Sequence, residues 1–283
     1  MSGNPLNSTP TALATWLSVL RATRRSAATI QAYQYAVDGL LGWLGANDAD
    51  EILTLNRRQA TAYVAHLGTL YKPGGNRSRI RSLRVFFNWA IEEGEYTDPN
   101  PFAKLMPQAE DCTMAVPSDD DIAAMLKRAK AGPSKRDLAM VQILVTTGCR
   151  KGELGALTDA DIDFDNRLIS FRVSKTRARV VPMHDDVVVA LGRWMRARPS
   201  KPTGLWDSTC PYDLVDTVVY RASAGLWRSH SLRRYFAVNW MQRGGSEASL
   251  IRLCGWKDGT MLRHYIAARA DEIADDEYRR LMD

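Results

Sequence analysis

The chain has 283 residues, of which 45% are hydrophobic, and it carries a formal net charge of +6. This length is sufficient for two domains that each bury a core of their own. No apolar run approaches the roughly 20 residues that a membrane span requires, and the first residues lack the basic and then apolar regions of a secretory signal. We therefore expect a folded cytoplasmic protein and exclude the membrane and exported classes.

The cysteines are scattered along the chain, with no Cys-x-x-Cys pair and no histidine at metal-ligand spacing. This pattern predicts free thiols in a reducing compartment and argues against structural zinc. The four residues are Cys112, Cys149, Cys210 and Cys254.

Basic residues concentrate in three windows without aspartate or glutamate, at residues 52–91, 166–184 and 217–246. A modest net charge alone is weak evidence for a polyanionic partner. Because the windows are spread over the chain, they favour a surface that wraps a long anion such as duplex DNA. The alternative is that they form the solvated faces of an arginine-rich protein.

The first ten residues are polar and are predicted to be disordered, whereas residues 11–97 are predicted to form a helical domain. Its most informative helix spans about 76–93, after a break at 73–75. Apolar residues share one face of this helix and polar residues share another. That pattern favours contact with DNA phosphates and bases, although an ordinary amphipathic helix has it too. The polar face comprises Arg77, Arg81, Arg84 and Asn88.

Residues 98–117 contain four prolines and few periodic apolar positions, which predicts an extended linker. The second domain, 118–283, opens with Ser118 as the N-cap of a helix. Strands at 168–173 and 179–182 are predicted to form a hairpin, and the chain after residue 185 is predicted to be helical. The predicted fold class is therefore mainly α with a small β-sheet: an N-terminal helical domain followed by a mixed α/β domain.

Five short motifs of the second domain agree in order and spacing with one known family. They are residues 147–154, 174–176, 230–233 and 255–256 and the single residue Tyr265. Each motif alone is weak, but five in register are a strong signal. The chain resembles the tyrosine recombinases of the phage integrase family, in the two-domain form without an arm-binding domain. Its first domain resembles the core-site-binding domain of that family.

The resemblance implies a catalytic role for five residues. Arg150 and Arg233 would hold the non-bridging oxygens of the scissile phosphate. Lys175 would deliver a proton to the departing 5′ oxygen, and His230 would assist proton transfer or support the phosphate. Tyr265 would be the nucleophile.

Two more residues belong to the predicted site. Glu153, one turn after Arg150, is expected to orient that arginine or to accept a proton. Trp256 stands where histidine is commoner in the family, so an acid or base role at this position is in doubt. Its indole N–H is expected to serve a phosphate oxygen while the ring packs the site. The ordinary alternatives are a solvated lysine in a turn for Lys175 and a packed histidine at a helix start for His230.

DNA contacts are predicted for basic and polar residues of the first two acid-free windows. They are Arg57, Arg58, Arg77, Arg81, Arg84, Asn88, Arg177 and Arg179.

The implied function is site-specific recombination through a 3′-phosphotyrosyl intermediate, as in phage or mobile-element integration and excision. Because the bond energy is kept in the protein linkage, no metal, ATP or other cofactor is expected. The expected partners are double-stranded DNA with core-type sites, further copies of the chain in a tetramer joined through a tail at about 270–283, and an accessory directionality factor. The alternative for that tail is a helix folded back on its own domain. The expected location is the nucleoid of the host cell.

Two alternatives to a recombinase stay open from the residues alone. A type IB topoisomerase uses the same arginine, lysine, histidine and tyrosine chemistry to relax DNA. A non-catalytic DNA-binding protein on the same scaffold would bind without cutting.

Overall fold

The computed structural model describes residues 11–46, 49–108, 115–174, 177–266 and 270–282. The chain forms two compact units that divide between residues 112 and 113, and each has a hydrophobic core of its own. Helices dominate both units and the second contains a small sheet, so the predicted fold class is confirmed. Among the described helices, none is both long and apolar enough to cross a membrane.

The described part of the first unit consists of helices joined by short turns. They are α1 (Ala12–Ala22), α2 (Ala27–Leu44), a 3₁₀ helix (Ala49–Thr54), α3 (Arg57–Leu70) and α4 (Pro73–Glu92). The side chains of Thr11, Ser26 and Asn56 cap α1, α2 and α3 by accepting a backbone N–H. Because proline lacks an N–H, it fits the first helical turn, and residues 73–75 belong to α4 rather than to a break.

Aromatic side chains fill the core of the first unit. The Trp16 ring meets Phe86 edge-on at 5.1 Å, and Phe87 meets Tyr96 in the same way at 5.0 Å. Edge-to-face packing is favoured because the positive ring edge meets the negative face of its neighbour. The apolar faces predicted for the separate helices therefore converge on one core.

The segment after α4 packs on the first unit. Phe102 is fully buried in its core, and the Arg57 guanidinium donates to the Pro101 carbonyl at 2.8 Å. The prediction of a linker over 98–117 is therefore corrected for its first part. Its prolines leave carbonyl groups without helical partners, and side chains of the first unit satisfy them.

In its described part, the second unit has helices before and after one three-stranded sheet. The elements are α5 (Asp119–Ala131), α6 (Lys135–Thr147), α7 (Lys151–Gly155), β1 (Ile162–Asp163), β2 (Leu168–Phe171), β3 (Arg179–Pro182), α8 (Asp185–Ala197), α9 (Pro211–Ala222), α10 (Ser229–Gln242), α11 (Glu247–Cys254), α12 (Thr260–Ile266) and α13 (Ala270–Met282). The core is built around α6, whose residues 139–141, 143 and 144 are fully buried. This burial explains the nearly continuous apolar sequence of α6.

The sheet is antiparallel, in the order β1, β2, β3. Ile169 of β2 pairs with Ile162 of β1 and with Val181 of β3. Ile169 and Val181 point into the core, because alternate residues of a strand face opposite sides. The predicted hairpin is present, and β1 is a short strand that the sequence pattern did not reveal.

The described cysteines are free thiols, as predicted. Cys149 and Cys254 are buried and Cys210 is exposed, while Cys112 lies outside the described residues. Burial raises the pKa of the Cys149 thiol to about 12 and that of Cys254 to about 11. Both buried thiols are therefore protonated at neutral pH and act as small packing groups.

Candidate active site

The turn between α6 and α7 positions Arg150. α6 ends at Gly148, whose φ of +58° is left-handed, and a Cβ there would lie 2.4 Å from the Phe236 ring. Arg150 follows as the N-cap of α7. Its backbone N–H and its guanidinium donate to the Glu153 carboxylate at 2.8 and 2.9 Å. The expected contact between these two residues is therefore present.

Glu153 is a buried carboxylate with several donors around it. Arg179 donates to both of its oxygens, at 3.1 and 2.8 Å, and the Ser174 hydroxyl donates at 2.7 Å. Burial by itself raises the pKa of the Glu153 carboxyl, but the hydrogen bonds from Arg179 and from the Arg150 backbone outweigh it and lower the pKa to about 2. Glu153 is thus an orienting anion, and a role as proton acceptor at neutral pH does not fit.

Arg179 is a structural residue, which corrects its prediction as a DNA contact. Its side chain is 4% exposed. Besides pairing with Glu153, its Nε donates to the Leu253 carbonyl at 2.6 Å, and its guanidinium lies 4.7 Å from the centre of the Phe171 ring. Arg179 therefore joins β3 to α7 and to the end of α11.

Arg233 projects from α10 into the interior and is 1% exposed. It donates to the Gly148 carbonyl at 2.5 Å and to the Cys254 carbonyl at 2.7 Å. A guanidinium has five N–H donors, so these two bonds fix its plane without using all of its hydrogen-bonding capacity. Arg233 thus stands between the turn that carries Arg150 and the end of α11.

Tyr265 on α12 contacts His230 at the start of α10. The phenolic oxygen lies 2.9 Å from His230 Nε2, and the tyrosine side chain is buried. Partial burial lowers the pKa of His230, as do the charges of Arg234, Arg233 and Arg150. The imidazole is therefore neutral at neutral pH, and its Nε2 is able to accept the phenolic proton.

Burial raises the pKa of the Tyr265 phenol, while the charges of Arg233 and Arg234 act in the opposite direction. A neutral phenol beside a neutral imidazole is the resting arrangement of this pair. Transfer of the proton to His230 would create a phenolate flanked by two guanidiniums.

Arg234 is a residue near the nucleophile that the family motifs did not point to. It lies four residues after His230 on α10, so the two side chains share one face of the helix. Its Nη2 donates to the Ser231 hydroxyl at 3.1 Å, and its buried Nε has no hydrogen-bond partner among the described residues. Helical spacing from His230 is the signal in the sequence that would have found it.

Trp256 packs between the tyrosine and the buried arginine. Its ring centre is 5.7 Å from that of Tyr265, at 64° between the planes, and 5.3 Å from the Arg233 guanidinium. The indole is 5% exposed. It holds the Tyr265 ring in place and presents its negative face to a cation.

Residues of α7 and α10 line a cavity of about 460 Å³, which includes Arg150, His230 and Arg233. Tyr265 is not among the described residues that line the cavity, but its hydroxyl lies 2.9 Å from Nε2 of His230, which does line it. Lys175 falls outside the described residues. The structure therefore brings together Arg150, His230, Arg233 and Tyr265 of the predicted catalytic set.

In the first unit, several predicted DNA contacts are engaged with the segment after α4. Arg57 donates to the Pro101 carbonyl at 2.8 Å, and Arg77 donates to the Pro107 carbonyl. Asn88 accepts a hydrogen bond from the Asn100 side chain at 2.6 Å. These bonds give the three residues a structural role that sequence spacing did not indicate.

The other predicted DNA contacts differ in exposure. Arg58, Arg81 and Arg177 are exposed, and Arg84 is partly buried. Contact of these four residues with DNA stays a prediction.

Comparison with known proteins agrees with this geometry. Residues 118–272 match the phage integrase family, and residues 13–94 match the phage integrase N-terminal SAM-like domain. The chain belongs to the phage integrase family. The resemblance predicted from five motifs is thereby confirmed, as is the enzyme class of tyrosine recombinase.

Curated relatives of this recombinase cover most of its length. The tyrosine recombinase XerC of Xanthomonas campestris pv. campestris (strain B100) is 26% identical over 273 residues, which span 91% of this chain and 84% of the relative. That of Syntrophus aciditrophicus (strain SB) is 27% identical over 235 residues, which span 74% of this chain and 76% of the relative.

Solved structures share the fold of the recombinase. The Tn1549 transposon integrase in complex with transposon right end DNA has a TM-score of 0.73 at 19% identity, covering 97% of this chain and 100% of the other. A lambda integrase tetramer bound to a Holliday junction has a TM-score of 0.72 at 20% identity, covering 90% of this chain and 76% of the other. At these identities, the likeness concerns the fold.

Proposed function

We propose that this recombinase cuts and rejoins duplex DNA at specific sites, with Tyr265 as its nucleophile. The observation that carries the proposal is the 2.9 Å contact between the Tyr265 hydroxyl and His230 Nε2, beside the buried guanidinium of Arg233. A phenol with a pKa near ~10 is a weak nucleophile at neutral pH. A neutral imidazole as proton acceptor and nearby cations overcome that weakness.

In the first step, the Tyr265 oxygen attacks the phosphorus atom while its proton passes to His230 Nε2. A bond forms between tyrosine and phosphorus, and the bond from phosphorus to the 5′ oxygen breaks, which gives a 3′-phosphotyrosyl link. Lys175 donates a proton to the departing oxygen. Arg150 and Arg233 stabilise the negative charge that builds on the non-bridging oxygens.

The second step reverses the first with a different strand. The 5′ hydroxyl of a partner duplex attacks the phosphotyrosyl phosphorus and gives its proton to Lys175. The new phosphodiester forms as the bond from tyrosine to phosphorus breaks, and the phenol recovers its proton from His230. Because the phosphotyrosyl bond retains the energy of the phosphodiester, the exchange needs neither ATP nor another cofactor.

We further propose that the reaction integrates or excises a phage or mobile element at core-type sites, under an accessory directionality factor. Similarity in fold to a transposon integrase bound to transposon end DNA supports this role, and similarity to the lambda integrase tetramer supports assembly of four copies on DNA. The predicted action of the chain on nucleoid DNA belongs to the same proposal.

Helix α13 supplies the proposed contact between copies. Tyr278 and Met282 on this helix are 65% and 70% exposed. The helix also contacts α10 of its own chain, and Arg280 lies against Gly244, two residues after α10 ends. Large apolar side chains exposed together are typical of an interaction surface, and a closed ring of identical copies would cover them.

Trapping the covalent complex tests the proposed nucleophile. A duplex from the native locus, nicked so that the cleaved fragment diffuses away, should accumulate covalent complex with the wild type and none with Tyr265→Phe. Binding of the same duplex should be retained by Tyr265→Phe, since the change removes one hydroxyl. Tyr220→Phe, which alters a tyrosine that is 53% exposed on α9, is the matched control and should react like the wild type.

The same experiment separates the alternatives. Covalent complex formed by Tyr265→Phe would refute the nucleophile assignment. Relaxation of supercoiled DNA of arbitrary sequence by single copies would favour the topoisomerase alternative, and binding of the native duplex without any covalent complex would favour a non-catalytic protein.

A further inference from the structure

Lys151 lines the same cavity as Arg150, His230 and Arg233. It is the first residue of α7, directly after Arg150, and its side chain is 26% exposed. The proposed mechanism gives it no task. An ammonium group beside the phosphate-binding arginines is nevertheless within the region that the DNA backbone must enter.

Two side chains of α9 hold the Lys151 ammonium in place. Nζ lies 2.5 Å from Asp216 Oδ2 and 3.7 Å from the centre of the Tyr212 ring. The Ser229 hydroxyl, at the start of α10, donates to the other Asp216 oxygen at 3.3 Å. Lys151 therefore has a defined position, with an aromatic platform on one side and a carboxylate on another.

Exposure of the two charged partners is unequal. The Asp216 side chain is 43% exposed, against 26% for Lys151, and the Tyr212 residue is 52% exposed. If the Lys151 ammonium binds another anion, the Asp216 carboxylate is therefore exposed enough to be hydrated. The ammonium itself stays on the Tyr212 ring at the cavity wall. A partly exposed ion pair of this kind contributes little to stability, so exchanging its anion costs little.

We propose that Lys151 binds a DNA backbone phosphate next to the scissile one, and that this phosphate replaces Asp216 as the partner of its ammonium. The inference rests on the proposed function, because it places the DNA backbone in this cavity. Burial lowers the pKa of Lys151, but its bonds to Asp216 and Tyr212 outweigh burial and raise it. The residue is therefore a permanent cation at neutral pH and acts on binding rather than on proton transfer.

Lys151→Met and Asp216→Asn distinguish this role from a structural one. Both changes break the same ion pair, so a purely structural contact predicts the same direction of effect on DNA binding. If Lys151 binds phosphate, Lys151→Met weakens binding by about fivefold near 0.15 M salt, the value expected for one lost phosphate contact. Asp216→Asn strengthens binding by a factor of roughly two to five, because it removes the competing anion.

Affinity for the nicked duplex used in the trapping experiment is measured with variants that also carry Tyr265→Phe. This change prevents covalent trapping, so that binding is reversible. The slope of log affinity against log salt concentration should fall by about one in Lys151→Met. Lys130→Met and Asp120→Asn are the matched controls. They change an exposed lysine and an exposed aspartate on α5, neither of which lines the cavity. Both should leave affinity and slope within twofold of the parent, roughly the scatter expected from a surface charge outside the site.

Neutral methylphosphonate, placed at one phosphate at a time, locates the contact. At one position beside the scissile phosphate, the substitution should cost the parent about fivefold and cost Lys151→Met nothing further. Equal losses in both proteins at every position, or the same direction of change for Lys151→Met and Asp216→Asn, would overturn the inference. Such a result leaves the Tyr265 assignment untouched, since the covalent trap tests that separately.

Discussion

In the proposed mechanism, Tyr265 is the proton donor and His230 is the proton acceptor. The phenolic oxygen lies 2.9 Å from His230 Nε2, and transfer of the proton to that nitrogen requires a neutral His230. Because the pKa of His230 is lowered from 6.5, the required state predominates at pH 7. Acid removes it by protonating the acceptor nitrogen, so the chemistry has a defined lower limit of pH.

The rate of DNA cleavage should therefore fall on the acid side of pH 6.5. Single-turnover cleavage of the nicked duplex, measured from about pH 5 to 8, should show an acid limb whose apparent pKa lies below 6.5, the ordinary value for histidine. His230→Gln should lower the rate by roughly 10²- to 10⁴-fold and remove the limb.

His66→Gln is the control for this profile, since His66 lies on α3 of the first unit. It should keep both the rate and the limb of the wild type. An acid limb that persists unchanged in His230→Gln would assign the titration to a different group.

The convergence of distant residues on one site was predictable where a motif fixed both identity and order. Arg150, Arg233 and His230 converge as their spacing indicated. The structural role of Arg179 was not predictable in this way, because it depends on Glu153, which lies 26 positions earlier in the sequence. Local sequence cannot show which arginine of a basic stretch finds a buried carboxylate.

At the scale of elements, the α6–α7 turn connects the fold to the site. Gly148 lets α6 end in a left-handed conformation while Phe236 of α10 packs directly against its Cα. The same turn sets the direction of Arg150 and offers its carbonyl to Arg233. A change in this turn therefore affects packing and the positions of Arg150 and Arg233 together.

Gly148→Ala should destabilise the protein by about 2 kcal/mol or more. The added methyl group meets both a left-handed φ and the Phe236 ring, at 2.4 Å. Gly192→Ala, in the interior of α8, has only the end of the Arg196 side chain near its Cβ, at 3.6 Å. It should instead stabilise by about 0.5 to 1 kcal/mol.

Urea unfolding of both variants measures the two free energies. A loss of less than about 0.5 kcal/mol for Gly148→Ala would mean that the turn relaxes without strain.

The sequence predicted whether a segment is a helix or a strand more reliably than it predicted where that segment begins and ends. The periodic apolar face of α4 identified it as a helix, and alternation identified β2 and β3. The sequence predicts a linker over residues 98–117, because prolines dominate the local pattern there. Attachment of the first part of this segment depends on Phe102 entering a core built by distant helices, which no local pattern encodes.

On the scale of the whole molecule, α13 leaves two large apolar side chains, Tyr278 and Met282, 65% and 70% exposed. Tyr278 and Met282 gain nothing by remaining in water, and burying them against another copy would release roughly 1.5–3 kcal/mol for each fully covered side chain. Assembly on DNA would therefore depend on this helix more than cleavage by a single copy does.

Tyr278→Ser combined with Met282→Ser should leave covalent trapping intact and reduce the amount of tetramer on DNA. Gel filtration of the protein with a duplex from the native locus gives the readout. Val189→Ser, at a residue on α8 that is 49% exposed, is the control for loss of an exposed apolar group. Unchanged tetramer in the double variant would exclude α13 as the contact.

The two-unit organisation and the mainly α class could be predicted from the sequence. Apolar periodicity and a proline-rich break are signals summed over many residues, so an error at a few positions does not change the prediction. The identity of the family was accessible for a different reason. A phosphoryl-transfer site needs several cations and one nucleophile, and their order along the chain is itself informative.

Arg233 has a thermodynamic consequence that follows from its two carbonyl partners. A free arginine side chain has about 2 kcal/mol of rotamer entropy to lose. Since the carbonyls of Gly148 and Cys254 already immobilise this one, the loss occurs during folding of the polypeptide. In the proposed mechanism, docking of a phosphate would then order little that was not ordered before, so more of the attraction between the ions would be expressed as affinity for the pentacovalent transition state.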